Sequence, residues 1–353
     1  MGLSRGASSR LALPLIALSV LLTVAARAAE NQNQPRDVHR LLSQMYAQPP
    51  WYHRWILSSP GLRRNVPELW LRAYRADSQA WLDADAASRK LAALGTNGWP
   101  AIPALVDGVG KRPRLAVRAI SVLSQIGADQ HPAWKELARP WRGDASVATN
   151  LGYLLFTKNE FAQPYDARHR RFALIGLASI GHAAQPQSQH LVGVLETDND
   201  HPLWPLAAAA LRESQVESSS FVPLLSAALR DPGKHPYVRA SAAHALAEAV
   251  PAQETLSVLR ESLRDEFAVI RLSAVRSLWK LQGNAEEVLP IIETLLAHKL
   301  RSVRLGALNL VSEMGSAAQS LTRAVEERLT DENEEVQRAA GKALEAIRRK
   351  RSL

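Results

Sequence analysis

The stretch Ile270-Arg271-Leu272-Ser273-Ala274-Val275-Arg276-Ser277-Leu278-Trp279-Lys280-Leu281 decides the fold. Counted from its first residue, apolar or small side chains fall at positions 1, 5, 8, 9 and 12: Ile270, Ala274, Ser277, Leu278 and Leu281. That is the period of an amphipathic helix, not the alternation of a strand. The phrase returns at Val238-Arg239 with Ala242 and Leu246, at Val303-Arg304 with Ala307 and Val311, and at Val336-Gln337 with Ala340 and Leu344. Earlier copies put the same alanine at Ala87, Ala119, Ala173 and Ala207, so that the steps from Ala87 to Ala340 are 32, 54, 34, 35, 32, 33 and 33 residues. Self-similarity at such a period predicts stacked helix pairs, each too small to bury its own apolar face. The expectation is an all-α solenoid of about eight helix pairs.

A partner helix is predicted before each late phrase, at Phe221–Leu229, Glu254–Leu263, Val288–Leu296 and Leu321–Leu329. Pro223 and Pro290 are expected in the first turns of theirs, where a missing amide costs nothing. Small residues at positions 5 and 8 let neighbouring helices approach closely. The 54-residue step spans about 128–166 and holds two more helical stretches, His131–Arg139 and Ala145–Phe156, which makes it an enlarged repeat. Asp198-Asn199-Asp200 has oxygens for a calcium ion but lacks the rest of a calcium loop, and is expected to be an inter-helix turn.

The whole pattern resembles the HEAT repeat, in particular its bilin-lyase-like variety, over about residues 86–347. Gly95, Gly127, Gly181 and Gly283 near the phrase ends, and Ala101-Ile102-Pro103-Ala104-Leu105, carry that likeness. The resemblance implies a right-handed superhelix with a buried Asp–Arg ladder between units. By matching position the ladder would use Asp231, Asp265 and Asp331 with Arg170, Arg239, Arg271 and Arg304. Lys299 and Gln337 depart from the pattern, so the ladder is expected to be incomplete toward the C-terminus. The family is functionally diverse, and the likeness transfers the fold and little else.

Residues 1–28 have the three parts of a secretory signal peptide: Arg5 and Arg10, the mainly apolar run 11–24, and Ala26-Arg27-Ala28. An exported chain would then start near Ala29, with no stable membrane span once the signal is cleaved. The domains read as 1–28 signal peptide, 29–85 aromatic-rich helical cap, 86–347 solenoid and 348–353 basic tail. The formal charge of +9 falls to +6 without Arg5, Arg10 and Arg27. Arg348, Arg349, Lys350 and Arg351 favour a helix C-terminus, or else a weak contact with anionic polymer or lipid. Nucleic acid is not expected as a partner of an exported protein. The absence of cysteine excludes disulfides, thiol nucleophiles and thiolate metal sites.

Catalytic signatures are absent from the sequence. None of the ten histidines precedes a glutamate, so the His-Glu pairs of HEAT-repeat di-iron hydroxylases are missing. No zinc helix, phosphate loop or nucleophile elbow appears. No cofactor, metal or catalytic residue is assigned, and an enzyme of bilin-lyase-like or other type ranks third. First stands a scaffold binding other proteins of the cell envelope through its concave surface. In HEAT solenoids the phrase helix lines that surface, so positions 3, 7 and 10 should face it. Position 7 reads Ser121, Ile175, Ala209, His244, Arg276, Asn309 and Lys342, and position 10 adds Trp279. The groove candidates are therefore His244, Arg276, Trp279, Asn309 and Lys342. The alternative is carbohydrate or cell-wall polymer binding by an N-terminal patch, Trp51, Tyr52, His53, Arg54 and Trp55. It belongs to a region that also holds Trp70, Trp81 and Trp99, and sealing the first repeat is the simpler role for those aromatics.

Overall fold

The computed structural model describes residues 37–47, 51–110, 113–156, 166–249 and 253–349, and these contain helices and turns with no strand. The chain divides into two compact units at Pro140 and Trp141. The architecture is an all-α solenoid. The expected signal peptide lies outside the described residues, as do Lys350 and Arg351.

The first unit contains α1 (37–46), α2 (Trp51–Ser58), α3 (Pro60–Asn65), α4 (Pro67–Ala93), α5 (Ile102–Val109), α6 (Pro113–Gln125) and α7 (Trp134–Leu137). The boundary expected between residues 85 and 86 falls inside α4. Pro67 opens this helix and no glycine or proline interrupts it before Gly95, at φ +54°, so cap and first phrase are one rod. The stretch expected at His131–Arg139 is shorter, because Pro132 and Pro140 bound it and the residue before a proline avoids the helical region.

In the second unit each phrase forms a helix: α9 (Ala167–Ile180), α11 (Trp204–Glu213), α13 (Pro236–Leu246), α15 (Ala268–Gln282), α17 (Arg301–Met314) and α19 (Glu334–Arg348). The partners are α8 (Ala145–Phe156), α10 (Ser188–Leu195), α12 (Val222–Arg230), α14 (Gln253–Glu261), α16 (Ala285–Leu296) and α18 (Thr322–Glu326). Helices α14 and α18 run on as 3-10 turns over Ser262–Arg264 and Glu327–Thr330. Pro223 sits in its first turn as expected, whereas Pro290 lies inside α16. Asn284 and the acidic pair Glu286 and Glu287 start that helix earlier than its apolar pattern suggests. Arg348 is the last residue of α19 rather than the start of a separate tail, 3.9 Å from Glu326.

Successive phrase helices pack on one another, with Ala242, Ala274, Ala307 and Ala340 wholly buried between them. Ser277 replaces alanine at position 8 without cost, because its buried hydroxyl donates to the Ala243 carbonyl of α13 at 2.8 Å.

A polar ladder runs along the loops at the other edge. Arg304 shows a complete rung. Its Nη1 donates to the carbonyls of His298 and Lys299 in its own loop, both at 3.0 Å, and its Nη2 reaches Asp331 of the next loop at 2.8 Å. Arg239 meets Asp265 at 2.5 Å, and Arg170 holds Asp200 with both terminal nitrogens. Asp200, expected only as a turn, is thus a rung. Asp231, expected in the ladder, is not: Trp204 stands at the arginine position of the preceding phrase, and Asp231 accepts the Gly233 amide at 2.8 Å. Gln337 keeps the inner half of the rung, donating to the Asp331 carbonyl at 2.6 Å. The break lies two repeats earlier, at Arg271. Aligned on the phrase alanine, the aspartate position of the next loop is His298, and Lys299 stands where its neighbours have Glu266 and Glu332.

Two outcomes follow for stability. Ala274→Leu overpacks both faces of α15 and costs about 1–3 kcal/mol; a thermal melt superimposable on wild type would reject the repeat register. Arg304→Ala leaves Asp331, 4% exposed, without its guanidinium and costs on the order of 3 kcal/mol. Replacing the pair, Arg304→Met with Asp331→Leu, should cost less in urea titrations, since no charge is then stranded.

Candidate functional site

Positions 7, 10 and 11 of a phrase share one helix face, turned away from the partner helices. On α13 and α15 they make a cleft of 330 Å³ lined by His244, Ala247, Arg276, Trp279 and Lys280, closed by Glu313 of α17. His244, Arg276 and Trp279 therefore line one cleft. Asn309 and Lys342 are exposed on α17 and α19 and do not line the cleft.

The cleft is wired by charge. Glu248, 8% exposed, accepts both from Arg212 at the end of α11 and from Lys280 of α15, tying three successive repeats. Arg276 Nη2 donates to Glu313 at 3.2 Å, while its Nε is shut off from solvent with no acceptor. A buried N–H without a partner costs free energy; what the cleft offers a ligand is the open part of the Arg276 and Lys280 side chains, 31% and 46% exposed. Trp279 supplies a half-buried aromatic surface alongside. The arrangement suits a segment with an apolar side chain and a hydrogen-bond acceptor.

Sequence reasoning missed Glu248, Lys280 and Glu313. All three occupy position 11 of their phrases, four residues after position 7 and so on the same helix face. Reading position 11 beside position 7 would have found the pairing of Arg276 with the next repeat's Glu313.

In the first unit α2 bears the aromatic patch, but the side chains of Trp51, Tyr52, His53 and Arg54 lie outside those described. Trp55 is 61% exposed. Trp81 and Trp99 serve the fold: the Arg118 guanidinium lies 4.8 Å over the Trp81 ring, and Trp99 donates to the Ile126 carbonyl at 3.0 Å. Among the described residues no group of three or more His, Asp or Glu could hold a metal ion, and no helix is long and apolar enough to cross a membrane.

A family model of HEAT repeats matches residues 189–279 and again 222–310. No curated protein matches the sequence. Solved structures with a similar backbone include the complex of CpcE and CpcF of phycocyanin lyase from Nostoc sp., 15% identical over 67% of this chain and 94% of that one, with a TM-score of 0.36. Human deoxyhypusine hydroxylase in complex with glycerol is 19% identical over 70% and 96%, with a TM-score of 0.30. A mutant of Kap121p is 14% identical over 89% and 33%, with a TM-score of 0.36.

His244 reports on the cleft's field. Burial lowers its pKa most and Arg276 lowers it further; Glu248 pulls it up, and Lys280 adds to the lowering. Its folded pKa thus lies below the unfolded value near 6.5. The unfolded chain takes up the proton first, so this group's contribution to stability is full above about pH 6.5 and is lost as pH falls toward the folded pKa. An NMR titration of the imidazole should show a depressed midpoint that rises in Arg276→Gln. An unchanged midpoint would remove the guanidinium from contact with the ring.

Proposed function

Residues 189–310 are HEAT repeats, and on that premise we propose that the protein is an exported scaffold that binds other proteins of the cell envelope through the cleft at His244, Arg276 and Trp279. The observation carrying this reading is the convergence, in one cleft, of a partly exposed Arg276 with a half-buried tryptophan. Tryptophan and arginine in such a setting are the residue types that dominate binding hot spots. Export rests on the signal-like residues 1–28. Binding alone accounts for the site, and the reading is non-enzymatic.

A second reading has its own support. Trp55 is 61% exposed on a helix that opens with Trp-Tyr-His-Arg-Trp, and an exposed aromatic plane can stack on a sugar ring. Carbohydrate or cell-wall polymer would then bind through α2.

The test is affinity purification of the tagged protein, cross-linked in its native envelope. A stoichiometric protein partner is expected, lost with Trp279→Ala and with Arg276→Glu while both variants keep the wild-type far-UV spectrum. Retention of that partner by both variants would sink the cleft. Recovery of cell-wall fragments, lost with Trp55→Ala, would favour the second reading.

A further inference from the structure

The ladder break at Arg271 differs in kind from the other departures. At Gln337 the charged donor is gone, and at Asp231 no arginine precedes. At Arg271 the donor is intact and only its acceptor is missing. Nη1 of Arg271 donates to the carbonyls of Asp265 and Glu266 at 2.8 and 3.0 Å, the same inner half-rung that Arg304 makes. Among the described residues its guanidinium meets no carboxylate. The loops on either side read Asp265-Glu266-Phe267 and Asp331-Glu332-Asn333; the loop between reads His298-Lys299-Leu300.

His298 takes over one duty of the aspartate. Asp265 and Asp331 accept the amide two residues on, at 2.9 and 3.1 Å, and His298 Nδ1 accepts the Leu300 amide at 3.1 Å. The loop conformation is thereby kept while the negative charge is lost and Lys299 adds a positive one. Burial, and then the charges of Arg271, Lys299 and Arg304, hold the His298 imidazole below its ordinary pKa, which marks an unrelieved positive field. Exposed apolar side chains flank the place: Phe267 and Leu300, 40% and 48% exposed, occupy the same cap position on α15 and α17.

We infer that the gap between Arg271 and His298 is a binding site for a carboxylate side chain of an acidic peptide segment on a partner protein, which completes the rung in trans. The recognised element is an Asp or Glu, donated to by Arg271 and Lys299, with apolar neighbours resting on Phe267 and Leu300. The two built rungs on either side supply the geometry: each joins an arginine at this position to a carboxylate at the place His298 leaves without one. This surface lies on the loop edge, apart from the Arg276 cleft, and does not depend on it.

The full chain can be probed with the blocked hexapeptide Asp-Glu-Asn-Glu-Glu-Val, which copies the loop that serves Arg304. NMR should show saturable shifts of the His298 ring and the Arg271 Nε–H at millimolar peptide. Arg271→Gln keeps a donor to the loop carbonyls, as Gln337 does naturally, and should weaken binding about tenfold or more with little change in melting temperature. His298→Asp should abolish binding by filling the site, and raise the melting temperature. Shifts that persist in both variants would overturn the assignment, as would no response of His298. A response to inorganic phosphate but not to peptide would overturn it too.

Discussion

The wholly buried alanine at position 5 sets the distance at which each repeat meets the next, and the other features of the second unit follow from that spacing. A helix pair has an apolar face on both sides and covers neither alone. With Ala242, Ala274, Ala307 and Ala340 at the interfaces, phrase helices come close enough for their loops to lie within one side chain's reach. Only then can Arg239 touch Asp265, or Arg304 touch Asp331. The same approach puts Glu248 between Arg212 and Lys280 on the opposite edge. Polar links on both edges depend on apolar contact in the middle.

Those links add little net stability when intact, because desolvating both charges offsets their attraction. They penalise a wrong register heavily, since a slip would strand a buried arginine or aspartate. The division of each guanidinium into an inner and an outer half explains how a rung is lost without losing the loop. The inner half latches the arginine's own turn and survives in Gln337. The outer half is the inter-repeat bond, and it fails wherever the next loop carries no acid.

Fold class was legible because it rests on periodicity, which burial enforces in every repeat. The helices α12, α14, α16 and α18 also stood in the pattern, as did the turn at Asp198-Asn199-Asp200. Loop pairings were less legible. Asp200 and Asp231 look alike in sequence, and only the residue one repeat earlier, Arg170 or Trp204, separates a rung from a local cap. The register of the loops is hidden too, because the aspartate position falls on His298 and not on its charged neighbour Lys299. The cleft was half legible: Arg276 and Trp279 follow from the helix wheel, but Glu313 belongs to another repeat, where a one-helix reading does not look. The continuity of α4 through residue 85 was hidden because composition changes there and backbone preference does not.

The junction of α15 with α17 brings these threads together. It is the least closely packed junction of successive phrase helices in the second unit, although Leu272 presses where Gly306 has no Cβ. On the cleft side one partly exposed ion pair, Arg276 with Glu313, spans it; on the loop side the rung is missing. In a linear array, stability is a sum over units and nearest-neighbour interfaces, so a junction short of both packing and polar links is where cooperativity is weakest. Arg276, 31% exposed in the cleft, and Arg271, with no carboxylate at its outer edge, both stand at this one junction. Groups that a partner could satisfy have been left at the interface that gains most from being bridged.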